Sequence, residues 1–123
     1  MRPKQDRNPE ELLPLPPAVF HILIALGDGE RHGYAIKREV AKRTGGKVDL
    51  GPGSLYGSIK RMLAEGLIME SEERPDEHLD DERRRYYRLT PFGLRVAQAE
   101  VGRMRQLIGA AEAKPGLRVP EPA

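Results

Sequence analysis

The chain has 123 residues, 38% hydrophobic and 33% charged, which suits one small domain with a modest core. It has no cysteine, which excludes disulfides and thiolate metal sites and makes the cytoplasm the expected compartment. The net charge is only +2 with a pI near 9.0, so where the basic residues sit matters more than their sum.

Residues 1 to 15 are polar and punctuated by Pro3, Pro9 and Pro14. They are expected to form a flexible arm, with Leu12, Leu13 and Leu15 available to pack on a neighbour. Pro16-Pro17 opens a helix over about 17–27, in which Val19, Ile22, Leu23 and Leu26 recur at helical spacing. Phe20 and Ile24 widen its apolar surface, so this helix needs burial on more than one side. Its run Ile22 to Leu26 is the longest apolar stretch and falls far short of the ~20 residues that cross a bilayer, so no membrane partner is expected. A second helix is predicted over about 33–44, with Ile36 and Val40 inward, Lys37, Arg38, Lys42 and Arg43 outward, and Gly45-Gly46 as its stop.

The third helix is the most informative stretch. Gly51 suits the N-cap, Pro52 the first helical position, and Gly66 the left-handed residue past the end. Leu55, Ile59, Met62 and Leu63 make one apolar face. The opposite face carries Ser54, Gly57, Lys60, Arg61 and Ala64: small, hydroxyl-bearing and basic, with no acid. Such a face fits an anionic groove, and its N-terminal N–H groups can hold a phosphate. Tyr56 flanks the face and can donate to a phosphate, or pack into the core.

After Gly66 the period changes to two. Residues 67–72 read as one strand and 83–89 as a second, joined by a polar loop into an antiparallel hairpin. Arg83, Arg84 and Arg85 make its return strand basic, while Asp76, Glu77, Asp80, Asp81 and Glu82 make the loop acidic. Thr90-Pro91 then caps a last helix to about residue 113. Leu94, Ala97, Val101, Met104, Ile108 and Ala111 are spaced 3, 4, 3, 4, 3 along it, a heptad seam that needs a partner helix, either from a second copy or from this chain's own first helix. Residues 114–123 are expected to be a disordered tail.

Helix, helix, helix, two-stranded hairpin, helix is the order of a winged helix-turn-helix. The expected fold class is therefore mainly α with a two-stranded β wing. The expected divisions are the arm (1–15), a winged helix-turn-helix domain (16–90), a dimerisation helix (91–113) and the tail. The expected DNA contacts are Ser54, Tyr56, Gly57, Lys60 and Arg61 on the third helix, Lys37 on the second, and Arg83, Arg84 and Arg85 on the wing. The expected dimer interface is Phe20 with Leu94, Ala97, Val101, Met104 and Ile108. Two-fold symmetry makes an inverted-repeat operator the natural target.

Four motifs in order then resemble a known family. His32-Gly33-Tyr34-Ala35-Ile36, Gly53-Ser54-Leu55-Tyr56, Lys60 through Ile68, and Arg85-Tyr86-Tyr87-Arg88-Leu89-Thr90 look like the PadR family of transcriptional regulators, over roughly residues 15 to 113. The single short C-terminal helix resembles its compact branch. The resemblance implies a homodimer built through the first and last helices, and repression by operator binding, often relieved by a small molecule. It also implies that Ser54, Tyr56, Lys60 and Arg61 face DNA. Gly57 departs from the family pattern, where proline is common, and the acidic loop departs from a basic wing.

Two rival classes compete with DNA binding. An enzyme is disfavoured because His21, His32 and His78 stand at no spacing that pairs them with a nucleophile, and Gly45-Gly46-Lys47 lacks the frame of a phosphate loop. No cofactor or metal is expected. The other rival is a winged-helix protein-interaction module, which the acidic loop favours.

Overall fold

The first helix, α1 (Pro17–Ala25), is the centre of the packing because its sequence is apolar all round: Val19, Ile22, Leu23 and Ala25 are buried within it. The computed structural model describes residues 7–71 and 85–122. Three further helices surround α1: α2 (Gly33–Arg43), α3 (Pro52–Ala64) and α4 (Pro91–Glu112). Ile36 and Val40 of α2, Leu55, Ile59 and Met62 of α3, and Val96 of α4 complete the core with Leu26, Leu50 and Leu67. Each such side chain contributes about 1.5–3 kcal/mol when fully buried.

Beside the helices lies a small antiparallel sheet of β1 (Arg31–His32), β2 (Ile68–Glu70) and β3 (Tyr86–Leu89), in the order β1-β3-β2. Ile68 pairs with Leu89 and Glu70 with Tyr87, while Arg31 pairs with the other edge of Tyr87. The two-stranded wing expected from the sequence therefore gains a third strand. Arg31 and His32 are pulled into extended backbone because β3 offers a free edge next to the start of α2. Among the described residues, 67, 71 and 85 of the expected strands 67–72 and 83–89 fall outside β2 and β3. Arg83, Arg84, His78 and the acidic loop from Asp76 to Glu82 lie outside the described residues.

Helix ends follow the local sequence closely. Pro occupies the first turn of α1, α3 and α4. The end of α3 is a Schellman turn: Leu67 N–H donates to Met62 O at 2.9 Å and Gly66 N–H to Leu63 O at 3.1 Å. Gly66 takes φ 76° there, a conformation that a Cβ resists. Past this turn the chain is held against the start of α4. The Thr90 hydroxyl accepts from Gly93 N–H at 2.9 Å, capping α4, and donates to Gly66 O at 2.5 Å; Thr90 N–H donates to Leu67 O at 3.1 Å. At Gly93 the backbones are in such close approach that an added Cβ would lie 1.9 Å from Leu67 O.

The amino-terminal segment corrects an expectation. Instead of a flexible arm throughout, residues 8–15 are docked on α4. Asn8 caps a 3-10 turn over Pro9–Leu12, and Leu15 is buried. The anchor is Glu100, a carboxylate with no exposed surface, which accepts from Leu15 N–H at 2.9 Å and from Arg103 Nε. The Arg7 guanidinium lies 4.3 Å from the centre of the Phe92 ring and donates to the Glu65 carbonyl at the end of α3. At the other end of the chain, a second 3-10 turn forms over Pro115–Leu117 within the expected tail, with Arg118 Nε donating to Glu112 O at 3.0 Å. Among the described residues no helix is long and apolar enough to cross a membrane.

This packing sets the sign of two glycine substitutions. Gly93→Ala should destabilise by about 1–3 kcal/mol or more, since backbone must move to admit the methyl group. Gly57→Ala, with nothing within 4 Å of its added Cβ, should stabilise by about 0.5–1 kcal/mol. Urea denaturation of the two variants checks both signs. The Arg103 hydrogen bond, opposed by burial and helped by Leu15 N–H, holds the Glu100 carboxyl below the usual carboxylate range. A depressed folded-state pKa stabilises fully above the unfolded value and is lost as pH falls through the folded one. Glu100→Gln should therefore cost about 1–3 kcal/mol at pH 7 and progressively less in acid, measured as the gap between variant and wild-type urea curves at pH 7 and pH 3.

Candidate nucleic-acid interface

Helix α3 divides cleanly between core and solvent. Leu55, Ile59 and Met62 are buried, whereas Ser54, Gly57, Lys60, Arg61 and Ala64 are exposed on the other side. Gly57 stands open, so the helix backbone is bare at the middle of this face. Tyr56 is half-buried and packs across to α2, where a Cβ on Gly33 would lie 2.7 Å from its hydroxyl oxygen. It thereby sets the distance between α2 and α3. The start of α2 is capped by an unusual group: His32 Nδ1 accepts from Ala35 N–H at 3.0 Å, and the ring meets Tyr86 of β3 edge-on at 5.3 Å. That cap ties α2 to the sheet.

The basic residues are not bare cations. Lys37 of α2 pairs with Asp49, in the linker before α3. Arg61 pairs with Glu65 one turn on, at 3.1 Å. Arg85 pairs with Glu70 of the neighbouring strand at 3.2 Å. Lys60 is exposed and, among the described residues, makes no ion pair. The structure thus brings Ser54, Gly57, Lys60 and Arg61 onto one face, with Tyr56 at its border. The residues missed by sequence reasoning are the three acids. The Arg61–Glu65 spacing of four was readable as a helical ion pair. The other two pairs are separated by 12 and 15 positions and only the fold joins them.

On α4, Phe92, Val96 and Glu100 face inward. Leu94, Val101 and Ile108 lie on another side and stay 48%, 41% and 56% exposed. Ala97 and Met104 are half-covered beside them, as is Phe20 on α1, where Ile24 is also exposed. His21 serves a structural contact, its Nδ1 3.3 Å from Arg43 Nη1. Burial first, then the adjacent Arg43 charge, lowers its pKa, which favours the neutral ring. Among the described residues no group of three or more His, Asp or Glu side chains comes together to hold a metal ion.

Comparison with known proteins gives these features a family. Residues 22–99 match the Transcriptional regulator PadR-like family. The Mycobacterium tuberculosis protein described as transcriptional regulator Rv3488 is 41% identical over 74 residues, 60% of this chain and 63% of that one. An uncharacterized 37.1 kDa protein in transposon TN4556 of Streptomyces fradiae is 39% identical over 88 residues, 72% of this chain and 23% of that one. The chain thus spans less than two thirds of either curated relative. The solved structure of a transcriptional regulator from Clostridium thermocellum shares the fold, with a TM-score of 0.65 and 22% identity over 78% of this chain and 87% of that one. The ordered motifs, the three-helix arrangement with its sheet and the match across residues 22–99 agree: the chain belongs to the PadR-like family of transcriptional regulators.

Proposed function

We propose that the protein regulates transcription as a homodimer that binds an inverted-repeat operator in duplex DNA, acting as a repressor that a small molecule releases. The observation that carries this reading is the outer face of α3. It is exposed, bare at Gly57, hydroxyl-bearing at Ser54 and basic at Lys60 and Arg61, on a helix whose opposite face is locked into the core. A face of that composition suits the major groove, where close approach and hydrogen bonding read base edges. Phosphate contacts then position it, from Lys37, from the wing at Arg85, and from Tyr56 at the border. Arg83 and Arg84 belong to the same proposed wing contact.

The exposed stripe of Leu94, Val101 and Ile108, flanked by Ala97 and Met104, supports dimerisation. A seam of this spacing covers itself against a second helix, and Phe20 of α1 adds to the same apolar surface. A two-fold pair presents two copies of α3 to half-sites about one turn, roughly 10 bp, apart.

The test is titration of a duplex selected from a random pool, across a range of salt concentrations. Lys60→Ala combined with Arg61→Ala should weaken binding at every salt concentration. For each phosphate no longer neutralised, the salt slope should fall by about 0.9. Where either side chain reads a base, its removal should instead cost about 1–3 kcal/mol and relax the preference at one base pair. Unchanged affinity and slope would overturn the assignment of α3, and an unmodified protein that binds no duplex at any salt would favour the protein-interaction reading.

A further inference from the structure

Each basic side chain proposed for DNA contact, Lys60 excepted, that is among the described residues comes with its own acid. Asp49 holds Lys37, Glu65 holds Arg61, and Glu70 holds Arg85. The three acids come from three different elements: the linker ahead of α3, the end of α3, and β2. We infer that Asp49, Glu65 and Glu70 are specificity-determining residues, a built-in screen that holds down affinity for DNA of arbitrary sequence. The inference rests on the DNA-binding reading and adds to it the residues that decide between right and wrong sites.

Different interactions survive at the two kinds of site. Binding to arbitrary DNA is almost wholly electrostatic and scales with the number of phosphates neutralised. A lysine or arginine already paired with a carboxylate neutralises little, and the carboxylate itself is repelled by the phosphate row. On arbitrary DNA the described face therefore acts chiefly through Lys60. At the operator, α3 also gains base-edge contacts through Ser54 and the bare backbone at Gly57. Those contacts hold the helix in place while the arginine and lysine heads exchange carboxylate for phosphate. Each pair has a well-exposed member, with the side chains of Asp49, Arg61 and Glu70 keeping 67%, 54% and 43% of their surface, so the paired heads are within reach of a phosphate once the helix is seated. The screen thus penalises wrong sites more than the right one, as specificity by repulsion requires.

The experiment compares the full chain with Asp49→Asn, Glu65→Gln and Glu70→Gln, singly and together. The probes are a random-sequence duplex of about 24 bp and the duplex selected from a random pool. Neutralising all three acids should raise affinity for the random duplex about tenfold or more at low salt. It should also steepen that salt slope by up to about 0.9 for each acid removed. Affinity for the selected duplex should rise less, so the ratio between the two falls. The single variants should give smaller steps in the same direction, which keeps the test sound if the triple variant folds poorly. Random-duplex affinity and slope equal to wild type would overturn the inference, as would equal gains on both duplexes. Failure of the wild-type protein to bind either duplex would overturn the DNA-binding reading itself, and this inference with it.

Discussion

The contact between the Gly66–Leu67 turn and the first turn of α4 governs the architecture. Three backbone features meet there: the left-handed Gly66, the Leu67 carbonyl, and Gly93, which has no Cβ to keep them apart. One side chain, Thr90, caps α4 and reaches the end of α3 through the same oxygen. Arg7 closes the junction from outside, between the Glu65 carbonyl and the Phe92 ring. A hydrogen-bonded, close-packed joint of this kind has little freedom to hinge. It ties the end of α3 to the start of α4, so in the proposed dimer the placement of α4 against a partner helix would carry over to α3.

That coupling gives the two outer surfaces of the molecule a shared purpose. The apolar stripe on α4 wants cover, and the polar face of α3 does not. In the proposed dimer, hydrophobic burial along α4 then sets the separation of the two α3 helices with no contribution from the wing.

Much of this was legible in the residues. Each of the four helices and its stop follows from apolar spacing and from Pro, Thr or Gly at the ends, because those signals are local. What could not be read depends on distant partners. A two-residue strand has no periodicity, so β1 emerges only from the free edge of β3. Glu100 sits within a heptad-like helix and reads as a solvated charge; its burial depends on Leu15, 85 positions away. The docking of residues 8–15 was obscured by prolines that suggest a loose arm. On the candidate site, the exposed and buried faces of α3 follow the 3.6-residue period. The same face read as free of acid, because Asp49 and Glu70 reach their partners only through the tertiary fold.

In the proposed assembly, a dimer joined along α4 seats two α3 helices in successive major grooves. Dimethyl sulfate protection of guanine N7 on the selected duplex tests it most directly, since N7 lies in the major groove. The expected result is two protected clusters, related by two-fold symmetry and about 10 bp apart. A single cluster, or no protected guanine N7 anywhere in the bound duplex, would contradict it.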